Sequence, residues 1–392
     1  MRLEAKDLSF RYHKGNRQIL NHVSVSLDSS DRLGLAAPSG FGKTTFCKIL
    51  AGYEQPDEGQ VLLDGKPLSE YKGYCPVQLI WQHPQEAVNP RRKMKTLWLR
   101  QDTVVDELPI RTLDNGRSLF MGEVRQMVPP FMVDGVNSAE VFLSNMDYAQ
   151  VSAAVITQEF IDGIQNEYLA EVVSRYPGRF FVCGMCEFRK PGFLAQAKEL
   201  IARGFKAIKI PAQRLLLREG RVMLNNEEMM QMFHYMEERD VMLSIDLADG
   251  ATQIPEMQEV IQECPRLRIA IGHFGMVTRP DWKEQIRLAL HPNVMIESGG
   301  ITWLFNDEFY PFRGAVKAIR EAAELVGMEK LMWGSDYPRT ITAITYKMSY
   351  DFIVKSPDLQ EDEKRLFLGE NARKFYGFTD LPILQYIKNM SE

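Results

Sequence analysis

Cysteine is scarce, with five residues in 392 (Cys47, Cys75, Cys183, Cys186 and Cys264), too few and too scattered for a disulfide framework. Cys183 and Cys186 have CxxC spacing, but no second pair completes a zinc site, and the apolar run around them reads as a strand carrying buried thiols. The six histidines stand isolated, at His13, His22, His83, His234, His273 and His291, so no His-x-His pair exists. No run approaches the roughly 18 apolar residues of a membrane span. The opening MRLEAKDLSF lacks the basic start and apolar stretch of an export signal, so a cytoplasmic chain without a membrane span is expected. Positive charge is not in excess. The formal net charge is -5, and Arg91-Arg92-Lys93 is the only dense basic run, which argues against nucleic acid as a partner.

What is present divides into two rhythms. Residues 1 to about 70 alternate apolar and polar positions (LEAKDLSF, VSVSLD, VLLDG) around one amphipathic stretch, TTFCKILAGY, which predicts strands with one helix after a Gly-rich turn. From Val151 onward, short apolar runs alternate with amphipathic helices: VSAAVITQ, RFFVCGMCEF, FKAIKIPA, VMLSIDLAD, LRIAIGHFG, VMIESGGI and LMWGSDYP are each followed by a helical pattern. Strand and helix alternating at this spacing predict an α/β fold with a parallel sheet closed into a TIM-type barrel. The runs number seven, one short of a closed barrel. Residues 98–150 are polar and poorly periodic, and read as an extended lead-in with one helix around SAEVFLSNMDY and no apolar strand.

APSGFGKTT, residues 37–45, lies between the strand-like VSVSLDSSDRLGLAA and the helix TTFCKILAG. Such a loop binds phosphate because successive backbone N–H groups at a helix start surround the oxygens, a lysine reaches the outer phosphates and a hydroxyl holds magnesium. Ser39 lies within the loop. Gly40 and Gly42 allow the turn, Lys43 supplies the charge, and Thr44 with its neighbour Thr45 the hydroxyls; Ala37 stands where the first glycine is usual.

The segment from LSFRYHKGN to VLLDG resembles the start of an ABC-transporter ATPase, and VQLIWQHPQEAVNPR resembles its glutamine loop in the style of the dipeptide and nickel importers. The resemblance implies ATP and Mg as ligands, Tyr12 stacking on adenine, Lys43 and Thr44 holding phosphate and metal, and Gln82 sensing the attacking water. It ends after Arg92. Nothing downstream reads as LSGGQ, no apolar run ends in Asp-Glu, and no switch histidine follows, so in-line hydrolysis lacks its water activator.

In the second rhythm, the polar residues closing the strands are Gln158 and Glu159, Glu187, Lys209, Asp246 and Asp249, His273, Glu297 and Asp336. Barrel enzymes place their chemistry at these strand ends. A histidine (IGHFG) and an aspartate (GSDYP) closing different strands can converge on a metal, a water or a substrate carbonyl, which selects His273 and Asp336. His234 and His291 read as structural, and Lys209 and Asp246 as either functional groups or a charge pair. RYPGRF, ARGFKAIKI, IGHFG, GSDYP and NARKFYGF resemble, in order, the amidohydrolase-related barrels, which include metal-dependent decarboxylases and lactone hydrolases. The resemblance implies His273 and Asp336 as catalytic residues and as ligands of a divalent metal such as Zn. The histidine pair that closes the family's first strand is missing, and Asp246 stands where a third histidine is frequent.

Both losses meet near Lys93–Leu99, where a single junction would join the front of a transporter ATPase to a barrel lacking its first strand. The expected division is residues 1–96, a partial ATP-binding segment, and residues 97–392, the barrel. The leading functional reading is a hydrolase or decarboxylase for a small carboxylated or cyclic substrate, active as a homo-oligomer. The competing readings are a nucleotide-binding transporter subunit that would work with transporter partners, and a chimeric chain with no intact activity.

Overall fold

In the computed structural model the described residues are 2–12, 18–36, 41–71, 77, 104–105, 108–120, 122–132, 135–217 and 220–384. The chain divides into two units, Met1–Lys93 and Met94–Glu392.

In the first unit, β1 (Arg2–Arg11), β2 (Gln18–Asp28), β3 (Glu58–Leu63) and β4 (Lys66–Pro67) form an antiparallel sheet in the order β2-β1-β3-β4. The alternation in the sequence sends Ala5, Leu8, Phe10, Leu20 and Val61 to one face. There they pack against Phe46 and Ile49 of α1 (Lys43–Leu50). Gly42 caps α1 with φ 83, a left-handed conformation suited to glycine. The strand expected through RLGLAA does not form. Residues 31–36 are irregular, and Leu33 and Leu35 are 48% and 43% exposed, apolar side chains without a sheet to enter.

The second unit opens with a meander that the polar composition of residues 98–150 concealed. β5 (Val104–Val105), β6 (Leu108–Thr112), β7 (Arg117–Phe120) and β8 (Glu123–Gln126) pair antiparallel in chain order. The β6–β7 turn is made by Asn115 and Gly116, both at positive φ (58 and 70), the geometry Asn-Gly favours between strands. All four residues of β8 are exposed, so no apolar alternation marked the strand. The expected helix follows as α2 (Ala139–Tyr148), capped by Ser138, whose side chain accepts from Val141 N–H.

All seven expected barrel strands form: β9 (Ala154–Ile156), β10 (Phe180–Val182), β11 (Ala207–Pro211), β12 (Met242–Asp246), β13 (Ile269–Ile271), β14 (Val294–Glu297) and β15 (Leu331–Met332). β9 pairs with β10, and β11 through β15 pair in sequence, every ladder parallel. An isolated parallel bridge from Gly184 to Ile208 links the two sets. Among the described residues the wall stays open between β9 and β15. Ala154 N–H donates to Arg179 O and Cys183 N–H donates to Ile156 O, so the intervening Val155 backbone faces the open side.

Helices α3 (Asn166–Arg175), α4 (Phe193–Ala202), α5 (Glu227–Glu238), α6 (Ile254–Glu263), α7 (Trp282–Arg287) and α8 (Arg313–Val326) alternate with the strands; the apolar stripes of α4 to α8 join one large core, while Tyr168, Leu169 and Val172 of α3 enter a second. α9 (Met348–Val354), α10 (Glu361–Arg365) and α11 (Asn371–Tyr376) close the chain order. This second core covers the open seam. In it Phe142 and Met146 of α2 pack with Ile156 and Phe180 on one side and Tyr337 and Tyr346 on the other. The Phe142 and Tyr337 rings stack with centroids 4.2 Å apart.

Candidate active site

Two of the expected site residues close barrel strands in an unusual backbone conformation. His273 follows β13 with φ 59, and Asp336 follows β15 with φ 50. Residues with side chains beyond Cβ enter this left-handed region seldom, and such positions concentrate at functional sites. Both line one cavity of about 1020 Å³ at the carboxyl ends of the strands, together with Lys209, Asp246, Glu297 and Trp303.

A chain of charge runs through its floor. The Lys209 ammonium lies 2.6 Å from Asp246 Oδ1, both side chains almost wholly buried. Asp246 Oδ2 faces His273 Nε2 at 3.6 Å, and His273 Nδ1 lies 3.0 Å from the Gly299 carbonyl oxygen. Nδ1 is therefore the nitrogen that donates to the protein, while Nε2 lies near the Asp246 carboxylate but beyond hydrogen-bond distance, an environment that favours the imidazolium and leaves the Nε2 proton uncommitted. Burial disfavours the charged ring, but the Asp246 carboxylate outweighs it and lifts the His273 pKa to about 10. For Asp246 burial likewise works against charge, and Lys209 with His273 overcomes it, holding this carboxyl well below the usual range.

Glu297 closes β14 in the same cavity with no cation in contact among the described residues, and burial pushes its pKa up to about 7. Glycines make room for these carboxyl groups. A Cβ on Gly334 would overlap Glu297 Oε1, and one on Gly272 would overlap Asp246 Oδ1. Trp303, on the turn after β14, donates from its indole Nε1 to Asp336 Oδ2 at 2.8 Å, and its ring meets His273 edge to face at 6.5 Å. It connects the two candidate residues, and sequence reasoning missed it because nothing in GGITWLF marks an indole that will turn into a cavity. Gln158 and Glu159 also line the cavity, but their side chains serve structure: Gln158 binds Cys183 O and Gln165 N–H, and Glu159 pairs with Arg214. Glu187 pairs with Arg189. His234 lies on α5 with Nδ1 3.5 Å from Cys264 Sγ.

These donors do not fit a resident zinc. No group of three or more His, Cys, Asp or Glu side chains placed to hold a metal ion occurs among the described residues. The reason is visible in the partners, since Lys209 already occupies the cation's place beside Asp246, and the Asp336 carboxylate is turned toward an indole N–H.

In the first unit, the Tyr12 hydroxyl lies 3.3 Å from Thr45 Oγ1, which places Tyr12 beside the start of α1. The Tyr12 ring stands edge-on to Phe10 and is 43% exposed. Gly42, Lys43, Thr44 and Thr45 occupy the first turn, with Thr44 exposed and Thr45 buried. Ser39, Gly40 and Gln82 lie outside the described residues. Among the described residues, no helix is long and apolar enough to cross a membrane.

A family model described as Amidohydrolase matches residues 82–378. The N-terminal part, about 70 residues, matches ABC-type ATPases. The spermidine/putrescine import ATP-binding protein PotA of Chromobacterium violaceum is 46% identical over 68 residues, covering 17% of this chain and 18% of that protein. The nickel import ATP-binding protein NikE of Escherichia coli is 32% identical over 108 residues, covering 24% of this chain and 40% of that protein. The chain therefore spans well under half the length of these curated relatives. Among solved structures, a Burkholderia multivorans amidohydrolase with bound zinc aligns at TM-score 0.51 and 17% identity, covering 64% of this chain and 90% of that one. A Pseudomonas putida protein, provisionally assigned as a 2-pyrone-4,6-dicarboxylic acid hydrolase, aligns at 0.50 and 21%, covering 62% and 88%. At these identities the likeness carries the fold alone.

Proposed function

The chain belongs to the amidohydrolase family across residues 82–378, and from that premise we propose that its β/α unit is a hydrolase or decarboxylase acting on a small carboxylated or cyclic substrate. One observation carries the reading. His273 and Asp336, from different strands, open into one cavity and share Trp303 between them.

Asp336 is the base and His273 the acid. The Asp336 carboxylate, oriented by the indole N–H, accepts a proton from a water as the water oxygen attacks the substrate carbonyl carbon. The His273 imidazolium, kept charged by Asp246, faces the oxygen on which negative charge develops and gives its proton to the leaving oxygen as the C–O bond breaks. In the decarboxylase form of the same chemistry, that proton goes to the carbon left when CO2 departs. Lys209 positions Asp246 and keeps it ionised. Zinc was implied by the family resemblance; given the donor set above, no step is routed through a metal.

The test follows proton release with a pH indicator on a panel of lactones that begins with 2-pyrone-4,6-dicarboxylic acid, the compound named for the Pseudomonas putida neighbour, and CO2 release on a panel of hydroxybenzoates. His273→Asn and Asp336→Asn should each lower the rate by about 10²- to 10⁴-fold. If either variant turns over the best compound at the parent rate, the assignment of that residue fails.

For the N-terminal segment, which we place at residues 1–96 with the barrel domain at 97–392, the reading is an incomplete ATP-binding cassette. Tyr12, Gly42, Lys43, Thr44 and Thr45 would contact the nucleotide and its magnesium. The irregular course of residues 31–36 favours weak binding over turnover, because a cradle of amides needs a paired strand to hold its shape. Partnership with transporter subunits, a homo-oligomeric barrel and a cytoplasmic location belong to this same proposal.

A further inference from the structure

The arginines that line the cavity are not equivalent. Arg125 pairs with Glu123 at 2.7 Å, Arg214 with Glu159 at 3.0 Å, and Arg279 with Asp249 at 3.5 Å. Each of these guanidinium groups has its charge balanced within the protein. Arg373 lines the cavity too and, like Arg339, has no carboxylate partner among the described residues. It lies on α11 beside Tyr376, which packs with Ala207 and Met242 at the starts of β11 and β12, whereas Arg339 stands at the carboxyl ends of the strands. The Arg339 guanidinium carbon sits over the Trp303 ring, 5.4 Å from the centroid, and Nη1 approaches the Met127 sulfur at 3.6 Å. Both are soft, uncharged neighbours that fix the plane of the group while leaving donors unused. Arg339 follows Asp336 by three residues, on the turn after β15, and the same Trp303 whose indole holds Asp336 lies under Arg339.

We infer that Arg339 is a specificity-determining residue that binds a substrate carboxylate and sets the reacting carbonyl between His273 and Asp336. The inference rests on the reading of this cavity as a substrate site and adds to it the residue that selects the anion. A guanidinium meets a carboxylate through two parallel N–H···O bonds, so it fixes orientation as well as position. At the carboxyl ends of the strands a single guanidinium without a carboxylate partner matches one negative charge. A carboxylate satisfies it, whereas a phosphate dianion would bring a second charge toward Asp336. The same cavity supplies an acceptor: Gln213 Oε1 is buried there with no hydrogen-bond partner among the described residues, suited to a hydroxyl or N–H elsewhere on the ligand.

The experiment measures binding to the full-length chain by calorimetry, with benzoate as the carboxylate probe, benzamide as its neutral counterpart and phenylphosphonate as the dianion. Benzoate should bind the parent and weaken on the order of 10- to 100-fold in Arg339→Gln. Arg279→Gln, which removes an ion-paired arginine from the same cavity, should change it less than about threefold. Benzamide should not distinguish the parent from Arg339→Gln. Arg339→Lys keeps the charge and guards against misfolding of the Gln variant; it should retain more benzoate affinity than Gln, and methylguanidinium should restore part of the loss in Arg339→Ala. The inference is overturned if benzoate does not bind the parent, if Arg339→Gln and Arg279→Gln weaken it equally, or if phenylphosphonate binds more tightly than benzoate. Because binding is read without turnover, a chain that holds benzoate through Arg339 yet transforms none of the panel would sink the enzymatic reading and leave this one standing.

Discussion

Replacing Lys209 with methionine would remove the ammonium 2.6 Å from Asp246 and leave a carboxylate some 6% exposed with only a more distant imidazole for company. Breaking a buried ion pair on one side costs about 3–5 kcal/mol, and the surviving His273 contact argues for the lower end. Denaturant unfolding of Lys209→Met against the parent checks this, and unchanged stability would show that the pair is not closed to water. The sign with pH follows from Asp246. Its folded pKa is depressed, so its contribution is present above the ordinary value of 3.8 and is lost as pH falls below it. The gap between parent and variant should therefore narrow on acidification. At this scale His273 and Asp336 were legible in the sequence because each ends an apolar run beside glycine. The pairing of Lys209 with Asp246 stayed undecided because both readings put a charge at a strand end. Trp303 and Arg339 were invisible as site residues, since their roles depend on how two loops fold over one another.

Helix α2 takes part in a job normally done by a strand. Its Phe142 ring lies between the Tyr337 ring at 4.2 Å and the Phe180 ring at 6.0 Å, so it joins residues from both edges of the open seam. Phe142 is 3% exposed, and Phe142→Ala should cost about 3–5 kcal/mol through lost burial and the cavity left behind. The same variant should increase binding of the dye ANS, because the void would connect with the site cavity. A cost below about 1 kcal/mol would mean that the two edges do not depend on α2. The helix itself was readable from SAEVFLSNMDY and its Ser138 cap, as were the seven strands, whose apolar runs are buried on both faces in β11, β12, β13 and β15 and half-buried in β9 and β10. The β5–β8 meander was not, because five of the eight side chains of β7 and β8 are exposed and its chief signal is a two-residue turn, Asn115-Gly116. Its outcome corrects the expectation of an extended lead-in.

For the molecule as a whole, the two units are of unequal completeness. The first has a sheet, a helix and, at the helix start, the last residues of a phosphate loop, but Leu33 and Leu35 lie exposed where a paired strand should bury them. Purified chain should release phosphate from ATP no faster than its Lys43→Ala variant; a rate that vanishes in the variant would show that the missing base and second magnesium ligand are supplied in some other way. The sequence announced this incompleteness through motifs that stop after Arg92. How the barrel wall would accommodate its own loss could not be read there, because that depends on contacts between residues about 200 positions apart, such as Tyr350 O–H donating to the Ala149 carbonyl. The open wall has a further consequence. A closed ring of strands has no first or last member, whereas this one has two ends, at β9 and β15, and ends fray. Opening should begin there and spread inward, so amide hydrogens of β12 and β13 would outlast those of β9 and β15 in deuterated water, giving a fold that is usually uniform around its circumference a gradient of protection from the seam to the far wall.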